Sequence, residues 1–236
     1  MDNDKKLTLV EHLGELRGRL IKSVAAVIIF SGILYSSSGK ILNILSRPVG
    51  KLVFISPVEL FLVYIKVALF GGFFLASPVI IYQIWRFVSA GLKPSENKAI
   101  IIFGPASFLL FLLGASFAYF VIMPVGIHFL LGFATDAIKP MITVNNYISF
   151  ISMITIAFGA IFELPIVVLF LTKIGLVTPT LLYSKRRHII LSIFILSAML
   201  TPPDVVTQIL MAIPLLVLFE VSVLLSRFVY RKKFSA

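Results

Sequence analysis

Cysteine is absent from this 236-residue chain. That excludes disulfides, thiolate nucleophiles and every metal site built on sulfur. Histidine occurs only at His12, His128 and His188, in three different segments, so no metal site is expected. No glycine-rich phosphate loop and no His-Glu-x-x-His pair occurs, which leaves nothing for nucleotide-driven or zinc-dependent chemistry. The chain is therefore not expected to be an enzyme or to need a cofactor. Charge is also scarce. Only 13% of residues are Asp, Glu, Lys or Arg, against about 25% in ordinary globular domains.

Apolar residues fill the space that charge leaves. They make up 59% of the chain, with 22 Phe and a mean hydropathy of +1.08. A soluble core cannot hide that much apolar surface, so the lipid bilayer must be the solvent. The net charge of +11 would suggest nucleic acid in a soluble protein. In a membrane protein it reflects basic residues kept on the cytoplasmic side, and no nucleic-acid partner is expected.

A helix needs roughly 20 apolar residues to cross about 30 Å of hydrocarbon. On that criterion the chain reads as an all-α integral membrane protein, one polytopic domain over residues 1–236. Six transmembrane helices are expected, at about 20–35, 60–88, 97–123, 147–173, 188–200 and 205–226. Many spans follow the first, so it is expected to be retained rather than cleaved as a signal peptide. The fifth and sixth are short. His188 to Leu200 covers about 20 Å at 1.5 Å per residue, and charge returns at Glu220 soon after Asp204. Thr201-Pro202-Pro203-Asp204 is too tight a link for anything but antiparallel neighbours. Local thinning of the bilayer or a protein partner is expected at this short wall.

Charge orients the spans. The N-terminal tail, the loop around Arg86, Lys93 and Lys98, the loop around Lys173, Lys185, Arg186 and Arg187, and the tail after Arg227 all share one side. The other side holds Lys40, Arg47, Lys51 and Lys139. The excess of Lys and Arg in the first set predicts both termini in the cytoplasm.

Directly before the first span stands His12-Leu13-Gly14-Glu15-Leu16-Arg17-Gly18-Arg19-Leu20. Leu9, Leu13, Leu16 and Leu20 recur at helical spacing and form one apolar stripe, while Glu11, His12, Glu15 and Arg19 project from it. Thr8 and Glu11 have the spacing of a capping box. The pattern predicts an N-terminal amphipathic helix lying on the membrane surface, with Glu15–Arg19 as an i, i+4 pair.

Glu163, in Phe162-Glu163-Leu164-Pro165, is the one acid deep inside an apolar span. It must be protonated, paired or facing a wet cavity, and is a functional-site candidate for that reason. Pro165 predicts a kink about one turn earlier. Gln208 on the sixth helix is a polar neighbour for Glu163, or else makes a simple interhelical hydrogen bond. Glu96, preceded by Ser95, and Asp204, preceded by Pro203, have the position of helix-start acids. Pro48 shapes an extracytoplasmic loop. Tyr82, Gln83, Trp85 and Phe87 resemble an interfacial aromatic belt.

Five ordered pieces together resemble the TatC family, the multi-span core component of the twin-arginine protein translocase. They are His12-Leu13-Gly14-Glu15-Leu16-Arg17, Ser77-Pro78 with Tyr82-Gln83-Ile84-Trp85-Arg86-Phe87, Phe117-Ala118-Tyr119-Phe120, Phe162-Glu163-Leu164-Pro165 and Thr201-Pro202-Pro203-Asp204. The resemblance implies a receptor for twin-arginine signal peptides of folded cargo, in the bacterial cytoplasmic (inner) membrane, driven by the proton-motive force. It assigns Glu15 and Glu96 to meet the two arginines, with Arg17 and Arg19 organising that site. Pro48 and Asp204 match functional positions on the outer face, where a structural role fits as well. It also implies a multimeric complex with TatA/TatB-type single-span membrane proteins. Glu163 then serves as a site for such a partner or for a proton. A proton-coupled secondary transporter for a small solute would also explain Glu163, but such folds show matching broken helices in two related halves, and none is evident here.

Overall fold

The computed structural model describes residues 9–90, 98–135, 140–201 and 204–234. Among them the regular structure is helical, apart from isolated bridge residues that include the parallel pair Val53 and Thr143. The helices are α1 (Leu9–Tyr35), α2 (Ser38–Ser46), α3 (Pro57–Ala90), α4 (Lys98–Phe117) and α5 (Met123–Leu131). They continue with α6 (Val144–Ile161), α7 (Leu164–Ile174), α8 (Pro179–Ser184), α9 (Arg186–Leu200) and α10 (Val205–Phe234). Five apolar stretches are long enough to cross a membrane: Glu11–Tyr35, Pro57–Ala90, Ile102–Leu131, Val144–Ile174 and Val205–Arg231. Helix α9 has 15 residues, which is about 22 Å at 1.5 Å per residue.

The helices outrun the expected spans. The amphipathic stretch is not a separate surface element. It is the first half of α1, which runs unbroken from Leu9 to Tyr35 because no proline or capping residue interrupts it. Thr8, the expected cap, lies outside the described residues. The third span passes through a five-residue π-helical stretch, Ala118–Ile122, and continues beyond Met123 as α5. Pro124 cannot donate to the carbonyl one turn back, and the wider π turn spares that contact. Helix α10 continues 14 residues beyond Glu220 to Phe234, so the short apolar segment expected there is its first half.

Backbone contacts sort the chain into two compact units. One comprises Met1–Phe108 with Thr143–Ile148, the other Leu109–Ile142 with Ser149–Ala236. In the first, α1 packs along α3. Gly72 makes this possible: a Cβ there would lie 2.1 Å from Ser31 Oγ and 2.6 Å from Ser31 N. Ser31 turns its hydroxyl back to the Val27 carbonyl at 2.6 Å, so the close approach leaves no hydroxyl hydrogen stranded. Helix α4 joins through Trp85, which is buried rather than interfacial. Its Nε1 donates to Ser107 Oγ at 2.9 Å, and its ring stacks on Phe103. Once the indole N–H has a partner, burial of the large ring is favourable. Tyr82, three residues earlier, is exposed.

The other end of this unit is tied by long-range hydrogen bonds. Tyr147 Oη donates to the Leu45 carbonyl at 2.6 Å, and Val144 N to the Val53 carbonyl at 2.9 Å. Glu59 accepts from Ile55 N at 2.8 Å and Asn145 N at 3.2 Å, while Lys66 Nζ donates to Asn145 Oδ1 at 2.6 Å.

In the second unit, α4 and α6 touch backbone to ring. A Cβ on Gly114 would meet the Phe158 carbonyl at 2.5 Å, and one on Gly159 would meet the Phe111 ring at 2.5 Å. Thr172 and Ser226 share a buried hydroxyl–hydroxyl bond of 2.8 Å that joins α7 to α10. Arg186 pairs with Glu220 and joins α9 to α10.

Candidate functional site

The entrance segment places its charges against α3. Arg19 Nε donates to Glu15 Oε1 at 3.0 Å, and Nη2 reaches the same oxygen. Nη1 donates to Gln83 Oε1 on α3 at 3.4 Å. One turn before Glu15 on α1, the His12 ring stacks on Phe87 at 4.5 Å. The i, i+4 pair is thus present and is also locked to a second helix. Its side chains are only 16% and 24% exposed for Arg19 and Glu15, so it is better shielded from solvent than a free surface pair. Arg17 is exposed on the next face of α1. Glu96 lies outside the described residues, so its distance from Glu15 is not part of this geometry.

Gln83 and Phe87 are the residues that sequence reasoning grouped with a belt and not with the site. Their four-residue spacing on α3 matches that of Glu15 and Arg19 on α1, and this was the available signal. The chemistry of the cluster follows from valence. Both Arg19 bonds fall on Oε1, and Oε2 of Glu15 accepts no hydrogen bond among the described residues. A carboxylate has acceptor sites on both oxygens. Glu15 can therefore keep Arg19 and still receive donors from a second guanidinium.

Glu163 stands at a break. Helix α6 ends at Ile161, and Glu163 is the residue that caps the start of α7. Glu163 N donates to Ala160 O at 3.2 Å, a tightened turn, and Glu163 O accepts from Val167 N at 2.9 Å. Pro165 occupies the first turn of α7, where its missing N–H costs nothing. The expected kink is therefore a full interruption. Carboxyl oxygen Oε1 of Glu163 is buried. Gln208 takes the simple interhelical bond instead: its Nε2 donates to the Phe194 carbonyl of α9 at 3.1 Å. Ser152 and Thr155 lie three residues apart on α6, and their hydroxyls are buried without a hydrogen-bond acceptor or donor among the described residues.

At the ends expected to face outward, Asp204 caps α10. Its Oδ1 accepts from Thr207 N at 2.7 Å, and its Oδ2 from the Thr207 hydroxyl. These bonds, the hydroxyl first and the backbone N–H second, hold the carboxyl below the usual aspartate range. Pro48 is exposed in the turn after α2, where Val49 N and Gly50 N both donate to Ser46 O at 3.1 Å. Gly50 follows at φ +79°, a left-handed conformation that suits glycine. Asp204 thus has a structural duty as a helix cap. Glu59 is the residue here that sequence reasoning missed, because its partner Asn145 is 86 positions away.

Comparison with known proteins agrees with this architecture. The family model for TatC, described as Sec-independent protein translocase protein (TatC), matches residues 11–214. A Sec-independent protein translocase protein TatC from Carboxydothermus hydrogenoformans is 46% identical, over 98% of each chain. That of Aquifex aeolicus is 44% identical over 96% of this chain and 98% of its own, and TatCd of Bacillus subtilis is 39% identical over 98% and 96%. A crystal structure of the twin arginine translocase receptor TatC superposes with a TM-score of 0.85 at 44% identity, covering 94% of this chain and all of that one. That fold is a six-helix membrane protein, as expected from the hydropathy pattern. With the family matched over most of its length and relatives aligned nearly end to end, this chain belongs to the TatC family of Sec-independent protein translocase proteins.

Proposed function

We propose that this chain is the signal-peptide receptor and core subunit of a twin-arginine translocase. It exports folded proteins across the bacterial inner membrane using the proton-motive force, with both termini in the cytoplasm. The observation that carries this reading is the Glu15 carboxylate, held by Arg19, which also donates to Gln83 of α3, and still open at Oε2. A peptide arginine docks there through charge-assisted bonds that a lysine ammonium cannot duplicate in geometry. Glu96 takes the second arginine, and Arg17 helps to hold the site. The surrounding basic residues repel a cationic peptide, so selection rests on these two acids and not on the overall field.

The second unit then meets the partners. Helix α9 is too short for an ordinary bilayer core, which suits the short helix of a TatA/TatB-type single-span protein. Glu163 and Gln208 lie in that unit. Glu163 offers a polar side chain of the partner a hydrogen bond, or carries a proton.

The test is binding of a twin-arginine signal peptide to the purified protein in nanodiscs, beside a Lys-Lys peptide. Wild type should prefer Arg-Arg by about tenfold or more, the scale of one charge-assisted hydrogen bond. Glu15→Ala and Glu96→Ala should each remove the preference. Glu163→Gln should leave peptide binding intact while reducing export in cells. Equal binding of both peptides, unchanged in the Glu15 and Glu96 variants, would overturn the receptor assignment.

A further inference from the structure

We propose that α8 and the C-terminal end of α10 form a binding site for the phosphate of an anionic lipid headgroup, separate from the entrance cluster. Pro179 and Thr180 of α8 and Arg227, Tyr230 and Arg231 of α10 line one cavity of about 270 Å³. A water takes about 30 Å³ of liquid volume, so the cavity accommodates a phosphodiester with part of its hydration. Its polar groups are of one kind. Two guanidiniums supply its hydrogen-bond donors, and none of these lining residues is acidic.

Both cations lack a carboxylate partner among the described residues, and one of them is oriented by an aromatic ring. The Arg227 guanidinium lies 4.3 Å from the centre of the Tyr183 ring, a contact that orients it without neutralising it. The acid on the same helix, Glu220, is engaged by Arg186. Neither Arg227 nor Arg231 has a carboxylate partner among the described residues. Guanidinium forks match phosphate oxygens in pairs, so an anion of this chemistry completes the site.

Depth selects a lipid over a dissolved phosphate. The stretch Val205–Arg231 is long and apolar enough to cross the bilayer, which puts its last turn at the headgroup level. Leu224 and Phe228, four residues apart on α10 and both exposed, give an acyl chain an apolar track beside the two arginines.

The experiment is native mass spectrometry of the detergent-solubilised full chain, titrated with phosphatidylglycerol against phosphatidylcholine, and separately with inorganic phosphate. Wild type should retain phosphatidylglycerol preferentially. Arg227→Gln/Arg231→Gln should weaken it about thirtyfold, the combined effect of two basic side chains at a membrane surface. A charge-matched control, Arg47→Gln/Lys51→Gln, should bind as wild type does. Arg227→Lys/Arg231→Lys should recover part of the loss, which separates lost charge from lost fold. Binding of inorganic phosphate with no preference for phosphatidylglycerol would keep the phosphate chemistry but overturn the lipid assignment. Equal retention of phosphatidylglycerol by wild type and the Gln variant would overturn the site itself.

Discussion

At the scale of single residues, charged side chains are few, and Asp204 and Glu59 each have definite hydrogen-bond partners. Asp204 illustrates how one carboxylate depends on pH. Its carboxyl titrates below the usual aspartate range when folded because Thr207 donates to it twice. A depressed folded value means that its stabilisation is fully present above the unfolded-state pKa. That stabilisation is lost as pH falls through the folded value. The thermal midpoint of the purified protein should therefore hold steady near neutrality and fall below about pH 4. Asp204→Asn keeps a neutral cap and should flatten the part of that fall due to this residue. Asp204→Ala should lower the midpoint throughout the neutral range. Identical acid profiles for wild type and the Asn variant would refute the assignment. The cap itself was legible, since an Asp after Pro-Pro and before an apolar run has few other uses. Gln83 and Glu59 were not, because their partners lie 64 and 86 positions away and local sequence carries no record of them.

Elements are decided by breakers and by small residues. Pro165 beside Glu163 announces the interruption between α6 and α7, since proline cannot continue the hydrogen-bond ladder. Gly72 announces nothing by itself, as a lone glycine in an apolar helix fits many roles. Its purpose appears only when α1 lies on α3, with Ser31 where a Cβ would be. Gly72→Ala should push the helices apart and destabilise the protein by about 1–3 kcal/mol, as overpacking does. Chemical denaturation in detergent measures this, and Gly14→Ala on the open part of α1 serves as the control. Equal stability of the two variants would show that the close approach is not needed. The continuous α1 has a similar lesson. Its amphipathic pattern was read correctly, yet a hydrophobic stripe alone does not say whether a helix bends onto the membrane surface or runs on into it.

For the whole molecule, the absence of cysteine makes topology directly measurable. A single cysteine introduced in place of Lys51 should react with a membrane-impermeant maleimide in intact cells. One in place of Ser235 should react only after permeabilisation, because the positive-inside bias predicts both tails in the cytoplasm. The opposite labelling pattern would invert the orientation. What the sequence alone determined is what composition and periodicity control: a helical membrane protein, its six apolar segments, a disturbance of the helix before Pro165 and the family carried by five motifs. Those features follow from local rules, the cost of charge in lipid and the need to satisfy each backbone N–H within its own helix. Tertiary structure alone decided that Arg19 is shared between Glu15 and Gln83 and that Trp85 is buried on Ser107. It also decided that Arg227 and Arg231 face a common cavity with α8. Each of these joins residues from different helices, and such pairings depend on how helices rotate and cross, which no single helix specifies.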